Sequence, residues 1–451
     1  MVILIKRHDK NEIKMHVIMQ EANKMSSKQV KDGLKCLKDE KIVENSNIKN
    51  QKHQELDHGS ALQVFLDRIP INSIPGIRNS PVVELKSGDS VKDAIELLYE
   101  KNVCGAPIVA DVVNPETSFG RFSDQYLGFI DFFSLVLWFL EECEKANLQA
   151  KENSGGDTEK NSFLTLLEQN PEVSQTKVGE LAKCFLWDPF FPVHFDDTLF
   201  HVLLLLSKHP HLQAVPVIEQ SDFQVTGFIT QNAVIQLLLR SSGLEWFDSM
   251  ADKALSDFHF ESEERIVTVS GDQNLAEALK MLWKCRLGAV AVVNGETDKI
   301  IGCFSSSHVY LLLENHQLFN DRKTLTMQEF VHMKTGKEEV DPTIDQDLGA
   351  LLTAGALRLR SSLHPKMYSP VTAERSNTLK QVMNKIAESR ANFCFLVDDS
   401  QRPVGMLTLR EIIIQFAPPC IDSGIHGGGF FESALEQAGC QIKNGTMICD
   451  H

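Results

Sequence analysis

The sequence predicts an α/β chain, of the α+β kind with helices laid on small sheets, made of four copies of one β-α-β-β-α unit. Three observations carry this. Four segments place apolar residues at i, i+3, i+4 and i+7, the single stripe of an amphipathic helix. Each of those segments is followed by a short apolar run of strand type. Each run is followed by a second one entered by a glycine, and the distances from helix anchor to that glycine are 37, 28, 27 and 26 residues. One amphipathic helix is ordinary, but four with the same downstream spacing are a repeat.

The first strands are read at Pro81-Val82-Val83-Glu84-Leu85, Phe191-Pro192-Val193-His194-Phe195, Arg265-Ile266-Val267-Thr268-Val269 and Pro370-Val371-Thr372-Ala373. Polar caps follow at Asp89-Ser90, Asp197-Thr198, Asp272 to Asn274 and Ser376 to Thr378. Their side-chain oxygens can accept from the orphan N–H groups of a helix start. The stripes are Val91, Ala94, Ile95, Leu98; Leu199, Val202, Leu203, Leu206; Leu275, Ala278, Leu279, Leu282; and Leu379, Val382, Met383, Ile386. The next strands are Ala106 to Val109, Ala214 to Ile218, Ala289 to Val293 and Phe393 to Val397. The glycines of the last strands are Gly128, Gly227, Gly302 and Gly405, and the longer first spacing is an inserted loop, Asn114 to Gln125. Closing helices are expected around Leu135-Val136-Leu137-Trp138, Val234-Ile235-Gln236-Leu237, Val309-Tyr310-Leu311-Leu312 and Ile412-Ile413-Ile414. One unit cannot cover both faces of its small sheet, so units should pair.

Composition removes several function classes. The 451 residues are 43% apolar and 24% charged, ordinary for globular domains. A net charge of −16 argues against nucleic acid as a partner. Residues 1–54 are the exception, with 12 Lys/Arg against 7 Asp/Glu, and read as a basic flexible leader. The densest apolar run, Phe132 to Leu140, is nine residues long, well short of the roughly 20 a membrane span needs. Ten scattered cysteines without a C-x-x-C pair read as reduced thiols of a cytoplasmic protein, and the Asn444-Gly445-Thr446 sequon would then be silent. No P-loop, nucleophile elbow, zinc-protease or dinucleotide fingerprint is present, nor the catalytic set of a kinase. Gly427-Gly428-Gly429 lacks a preceding strand and reads as linker sooner than phosphate cradle. His194, His201, His209 and His211 cluster, either as surface histidines or as part of a metal site that no Cys or carboxylate spacing completes. The aromatic string from Phe185 to Pro192 is core or a docking surface.

The repeat resembles the cystathionine-β-synthase (CBS) domain. The strings Phe65-Leu66-Asp67-Arg68-Ile69-Pro70-Ile71-Asn72-Ser73-Ile74-Pro75-Gly76-Ile77, Phe185-Leu186-Trp187-Asp188-Pro189-Phe190-Phe191-Pro192-Val193-His194 and Ser241-Ser242-Gly243-Leu244-Glu245-Trp246-Phe247-Asp248 resemble the gamma regulatory subunits of plant sucrose-non-fermenting-type kinases, relatives of the AMP-activated kinase gamma subunit. The likeness spans residues 60–417. Residues 1–54 are too few and too Lys-rich for the carbohydrate-binding module that some plant members carry there. The resemblance implies two CBS pairs packed into a disc. CBS repeats would lie at 62–145, 178–243, 259–316 and 366–417, with a mobile Gly-containing tail at 418–451. Repeats one and two would form one pair, three and four the other. Two long interruptions remain: Ala146 to Thr176, with a helical patch at Phe163 to Leu167, and Glu314 to Lys366, with an apolar stretch from Leu348 to Leu359 that reads as a helix.

The resemblance also implies where an adenine nucleotide would bind. Binding repeats carry an Asp for the ribose six residues after the second-strand glycine; here those positions are Ser134, Ala233, His308 and Glu411. Basic residues would precede the core strand; here stand Cys104 with Gly105, Gln213 with Ala214, Gly288 with Ala289, and Asn392 with Phe393. The ligand-type residues that persist are Asp131, Thr230, Ser305 and Thr408, joined by His308 and Glu411. The hydroxyls are equally well explained as helix caps. Phosphate without paired cations is costly to bury, so no tightly held cofactor is expected. The expected function is non-catalytic: the gamma subunit of a heterotrimeric Ser/Thr kinase controlling energy, carbohydrate and stress metabolism. Its partners would be a catalytic alpha and a scaffold beta subunit, in the cytoplasm and nucleus. The alternative is an adenine-nucleotide or other small-ligand sensor with reorganised pockets.

Overall fold

The computed structural model describes residues 61–74, 77, 82–111, 125–150, 162–182, 191–209, 212–219, 224–260, 266–333, 357–359, 366–417, 440–443 and 446–449. The leader 1–54, the inserted loop at 114–124, the aromatic residues 185–190 and the glycines 427–429 lie outside them.

Repeat one runs β1 (Leu85–Lys86), α1 (Val91–Glu100), β2 (Gly105–Val109), β3 (Tyr126–Asp131), α2 (Phe132–Ala150). Repeat two runs β4 (Val193–His194), α3 (Leu199–Lys208), β5 (Ala214–Ile218), β6 (Val225–Thr230), α4 (Gln231–Leu239). Repeat three has β7 (Thr268–Ser270), α5 (Leu275–Cys285), β8 (Ala289–Val293), β9 (Ile300–Ser305) and a short α6 (Leu311–Glu314). Repeat four has β10 (Thr372–Ala373), α7 (Leu379–Ser389), β11 (Phe393–Val397), β12 (Pro403–Thr408) and α8 (Leu409–Phe416). Each sheet has the same order, first strand parallel to the second and second antiparallel to the third. All four helical stripes are buried. Ser90, Asn274 and Thr378 accept from backbone N–H groups as helix caps.

Several details differ from the sequence reading. The first strands are only two or three residues long, because each pairs along one edge for a single turn of ladder. The glycines do not open the last strands but sit third in them, opposite Ile108, Val217, Val292 and Leu396. At Gly227 an added Cβ would lie 2.8 Å from the Ile77 carbonyl oxygen, and at Gly302 2.8 Å from that of Met367. The chain entering a neighbouring repeat crosses there, and only a bare backbone admits it. The closing helix expected around Val309 is broken into a 3-10 turn, Ser306–His308, and α6, since Ser305 and His308 cap one another across the turn. The interruptions hold the helix Phe163–Gln169, where a helical patch was expected, and three more that were not: Pro171–Ser174, His316–Asp321 and Met327–Val331. Phe163 stacks edge-on between Phe139 and Phe319, at 5.7 and 5.6 Å, and so belongs to the core. Of the stretch Leu348 to Leu359 only 357–359 are described: Leu357 has 3-10 conformation and Arg358 forms a bridge with Val103. In the tail, β13 (Cys440–Lys443) pairs with β14 (Thr446–Cys449), so these residues form a hairpin.

The repeats are joined by an exchange that the sequence reading missed. The segment 69–72, ahead of repeat one, docks on repeat two. Ile71 N donates to Asp197 O, Asn72 N to Phe195 O, and Leu199 N donates back to Ile69 O. The segment 176–179, ahead of repeat two, makes the same three bonds to Asp89, Ser87 and Val91 of repeat one. Segment 253–256 does so to Asn377, Arg375 and Leu379 of repeat four, and segment 325–328 to Gln273, Gly271 and Leu275 of repeat three. All twelve bonds are 2.8–3.0 Å long. The central residues Ile71, Val178, Leu255 and Met327 are each fully buried. Segments 253–256 and 325–328 fall outside the ranges 259–316 and 366–417 read for repeats three and four.

Sheets face each other within a pair. Tyr126, Ile218, Val225 and Phe228 fill the space between repeats one and two, and Ala289, Ala291, Cys303, Phe393 and Phe395 that between three and four. Helices join the pairs. On one side α2 packs on α5, with Trp283 Nε1 donating to Glu141 and Lys280 2.8 Å from Glu144. On the other, α3 and α4 pack on α7 and α8, with Asn232 donating to Asn392 at 2.7 Å and Lys380 2.9 Å from Asp248. The four units therefore close on one another by two sheet and two helix contacts.

Truncating a fully buried leucine costs about 2–5 kcal/mol. Leu255→Ala, although in a linker by sequence, is expected to lower the free energy of unfolding in urea by that amount; a midpoint within error of the parent would show that the exchanged segment is not needed.

Candidate functional site

The six ligand-type residues stand at one structural position, the junction of the last strand and the closing helix. Asp131, Thr230, Ser305 and Thr408 end β3, β6, β9 and β12, in register with Gly105, Ala214, Ala289 and Phe393. Each begins the following turn of helix, so its side chain points along the helix start. That geometry sets what the polar atoms do.

In repeat one, the Asp131 carboxylate accepts from Ser134 N at 2.8 Å and from Ser134 Oγ at 2.6 Å. In repeat two, Thr230 Oγ1 accepts from Ala233 N at 3.2 Å. In repeat three, His308 Nδ1 lies 3.2 Å from Ser305 N, whose proton it accepts, and 3.0 Å from Ser305 Oγ. In repeat four, Glu411 Oε2 accepts from Thr408 N at 2.8 Å and from Thr408 Oγ1 at 3.0 Å, while Thr408 Oγ1 accepts from Glu411 N at 3.3 Å. The last two are reciprocal capping boxes, while Asp131 and Thr230 cap one way. The structure thus brings Ser305 to His308 and Thr408 to Glu411. Glu411 is only 5% exposed, and one of its oxygens is turned back into its own helix.

Burial raises the Asp131 carboxyl above the usual carboxylate range, against the lowering effects of the Ser134 hydrogen bonds and of the Arg286 charge. Arg286 belongs to repeat three, so the fold sets a cation of one pair toward a carboxylate of the other. Arg286 also lies 4.0 Å over the Trp283 ring. The resemblance places basic residues immediately before the core strand, whereas Arg286 stands further back. Arg286 and Arg390 both stand three residues ahead of it, before Ala289 and Phe393, and both hold the left-handed conformation at φ 53° and 51°. Asn102 has the same place and φ 56° in repeat one. The recurring offset was the available signal.

The described histidines do not converge on a metal. Among the described residues no group of three or more His, Cys, Asp and Glu has that geometry. His201 Nδ1 lies 3.3 Å from Thr198 N at the start of α3, and the His209 ring packs 4.2 Å from Phe191. Burial, then the charges of Arg410 and Lys208, lowers the His209 pKa to about 4. Position 211 lies outside the described residues. Cys104, Cys143, Cys285, Cys303 and Cys394 are free thiols, and burial pushes Cys104, Cys143, Cys303 and Cys394 up to about 12. Among the described residues no helix is long and apolar enough to cross a membrane.

Residues 178–240, 258–315 and 366–417 match the model of the CBS domain, so the chain contains CBS domains. Repeat one lies outside that match but has the same strand order and register. The chain is 24% identical over 405 residues to "SNF1-related protein kinase regulatory subunit gamma-1" of Arabidopsis thaliana, spanning 86% of this chain and 90% of that one. It is also 24% identical to the gamma-1-like subunit of the same plant, over 84% and 91%. "Protein SDS23" of Debaryomyces hansenii matches at 22% over 55% of this chain and 44% of its own. Among solved structures, a Methanocaldococcus jannaschii protein proposed as an archaeal homologue of g-AMPK has a TM-score of 0.47 and 14% identity, covering 75% of this chain and 97% of that one.

Loss of a helix cap costs about 0.5–2 kcal/mol. Thr408→Ala and Glu411→Ala should each destabilise the chain by that amount in thermal unfolding, and Thr408→Ser should restore most of it. Equal melting of all three with the parent would remove the capping role.

Proposed function

We propose that this CBS-domain chain is the non-catalytic gamma subunit of a heterotrimeric Ser/Thr protein kinase that controls energy, carbohydrate and stress metabolism. The observation that carries the reading is the match to two plant kinase gamma subunits along nine-tenths of their own length. A match of that extent takes in all four repeats, not a single module. The closed arrangement of the repeats supports it: each repeat is held by a sheet contact and a helix contact, which suits a rigid platform for other subunits. The partners are then a catalytic alpha and a scaffold beta subunit, met in the cytoplasm and nucleus.

The test is capture of the tagged chain from its native cells, followed by identification of bound polypeptides and a kinase assay. Recovery of a Ser/Thr kinase catalytic subunit together with a beta subunit is expected. Recovery of neither, with no kinase activity above a tag-only control, would overturn the reading.

In this role the clefts are not tight adenylate sites. Asp131, Thr230, Ser305, His308, Thr408 and Glu411 serve their own helix starts, and the ribose-type acid survives only as Glu411. Each lost Arg–phosphate pair removes about 1.5–3 kcal/mol, and a decade of affinity is about 1.4 kcal/mol. Calorimetry of the full chain with AMP, ADP and ATP should therefore give no dissociation constant at or below roughly tens of micromolar. A tighter constant would favour a sensor, and loss of that affinity in Glu411→Ala would place the ligand in repeat four.

A further inference from the structure

The tail hairpin sets two cysteines opposite each other. β13 and β14 pair antiparallel in the register Cys440↔Cys449, Gln441↔Ile448, Ile442↔Met447, Lys443↔Thr446. That leaves Asn444-Gly445 as a two-residue turn, a dipeptide that favours tight hairpins. In such a turn the flanking pair, here Lys443 with Thr446, closes the backbone hydrogen bonds, and down the ladder bonded and non-bonded pairs alternate. Counting outward, Gln441 with Ile448 is a bonded pair and Cys440 with Cys449 a non-bonded one. Non-bonded partners hold their Cα atoms about 4.5 Å apart, inside the ~4.4–6.8 Å that a disulfide spans. Opposite residues share a face, so both cysteines fall on the face that also holds Ile442 and Met447. The thiols of the repeats are placed otherwise. Cys143, Cys303 and Cys394 are buried and unbonded, and the exposed Cys285 has the Met281 sulfur 4.0 Å away.

We propose that Cys440 and Cys449 form a reversible thiol–disulfide site, oxidised by hydrogen peroxide and reduced by a dithiol. One thiolate attacks a peroxide oxygen, the O–O bond breaks, and a sulfenic acid and one water result. The second sulfur then attacks the sulfenic sulfur. The S–S bond forms, the S–O bond breaks, and the departing hydroxide takes the second thiol's proton and leaves as water. Two thiols and one peroxide thus give one disulfide and two waters, with sulfur oxidised and peroxide oxygen reduced. A dithiol reverses the step by exchange through a mixed disulfide and is itself oxidised to a disulfide. In a reducing compartment such bonds are transient and report on oxidant. The consequence is conformational. A lone two-stranded hairpin is at best marginally stable in water. Cys440 and Cys449 are the last pair of the ladder, at the end away from Asn444-Gly445. A bond there closes the open end and removes unfolded conformations, so oxidation converts an opening hairpin into a fixed one. The hairpin is a sheet of its own, separate from the four repeat sheets, and the proposal does not depend on a kinase partner.

The test treats the reduced full chain with hydrogen peroxide under native conditions, then alkylates and digests it with trypsin. Cleavage after Arg410 and Lys443 separates the two cysteines, so the bond leaves fragments 411–443 and 444–451 joined. Fragment 411–443 also contains Cys420, so Cys420→Ser is run beside Cys440→Ser and Cys449→Ser. Joined fragments are expected in the parent and in Cys420→Ser, are absent from the other two variants, and come apart in dithiothreitol. Amide exchange at Gln441 and Ile448, the nearest bonded pair, should slow roughly tenfold or more when the parent is oxidised, and stay unchanged in Cys440→Ser. No joined fragments at a peroxide dose that oxidises Cys285 would overturn the proposal. So would fragments still joined in Cys440→Ser, or joined fragments whose Gln441 and Ile448 amides exchange at the reduced rate.

Discussion

Three backbone hydrogen bonds, made four times over, are what the rest of the molecule depends on. In each pair the segment ahead of one repeat completes the helix start of the other. The bonds satisfy N–H and C=O groups that a cap region would otherwise leave buried and unpaired. The residue at the centre, Ile71, Val178, Leu255 or Met327, adds a fully buried side chain to its neighbour's core, worth about 1.5–3 kcal/mol each. A single repeat therefore lacks one of its own parts. Pairing supplies it, and the facing sheets and crossing helices then follow from the surfaces that pairing leaves apolar.

Much of this was legible in the sequence because periodicity is local. The four stripes, the four core strands and the caps at Ser90, Asn274 and Thr378 depend on residues within one turn or one strand of each other. The exchanged segments were not legible for the opposite reason. Ile69-Pro70-Ile71 and Lys253-Ala254-Leu255 are too short to show a period, and their partners lie more than a hundred residues away. The same holds for Leu357, which packs with Tyr126, Ile218, Val225 and Phe228 from the connection between repeats three and four. The tail hairpin was available and overlooked: Asn444-Gly445 between two strand-like runs is a hairpin signal, obscured by reading the same residues as a sequon.

The candidate site was legible in position but not in use. The glycine spacing picked out Asp131, Thr230, Ser305 and Thr408, and each of these ends the last strand of its repeat. What the side chains do there required the turn geometry, in which Thr408 and Glu411, or Ser305 and His308, face one another within hydrogen-bond reach. Arg286 shows the complementary difficulty. Its conformation follows from ending α5, but its neighbour Asp131 comes from a different pair, and no local pattern announces that meeting.

The reciprocal exchange also sets an order of events when the chain is made. Synthesis runs from the N-terminus at about 5–20 residues per second, and domains generally fold as they emerge. Leu255 leaves the ribosome before its own repeat, yet the helix start that covers it, at Leu379, lies roughly 120 residues later, about 6–25 s away at those rates. Ile71 waits comparably long for Leu199. Each nascent pair thus spends many seconds with an apolar segment presented beside an unfinished helix start. That is far longer than a helix or hairpin needs to form. The two halves of a pair become stable nearly at once, when the later repeat arrives.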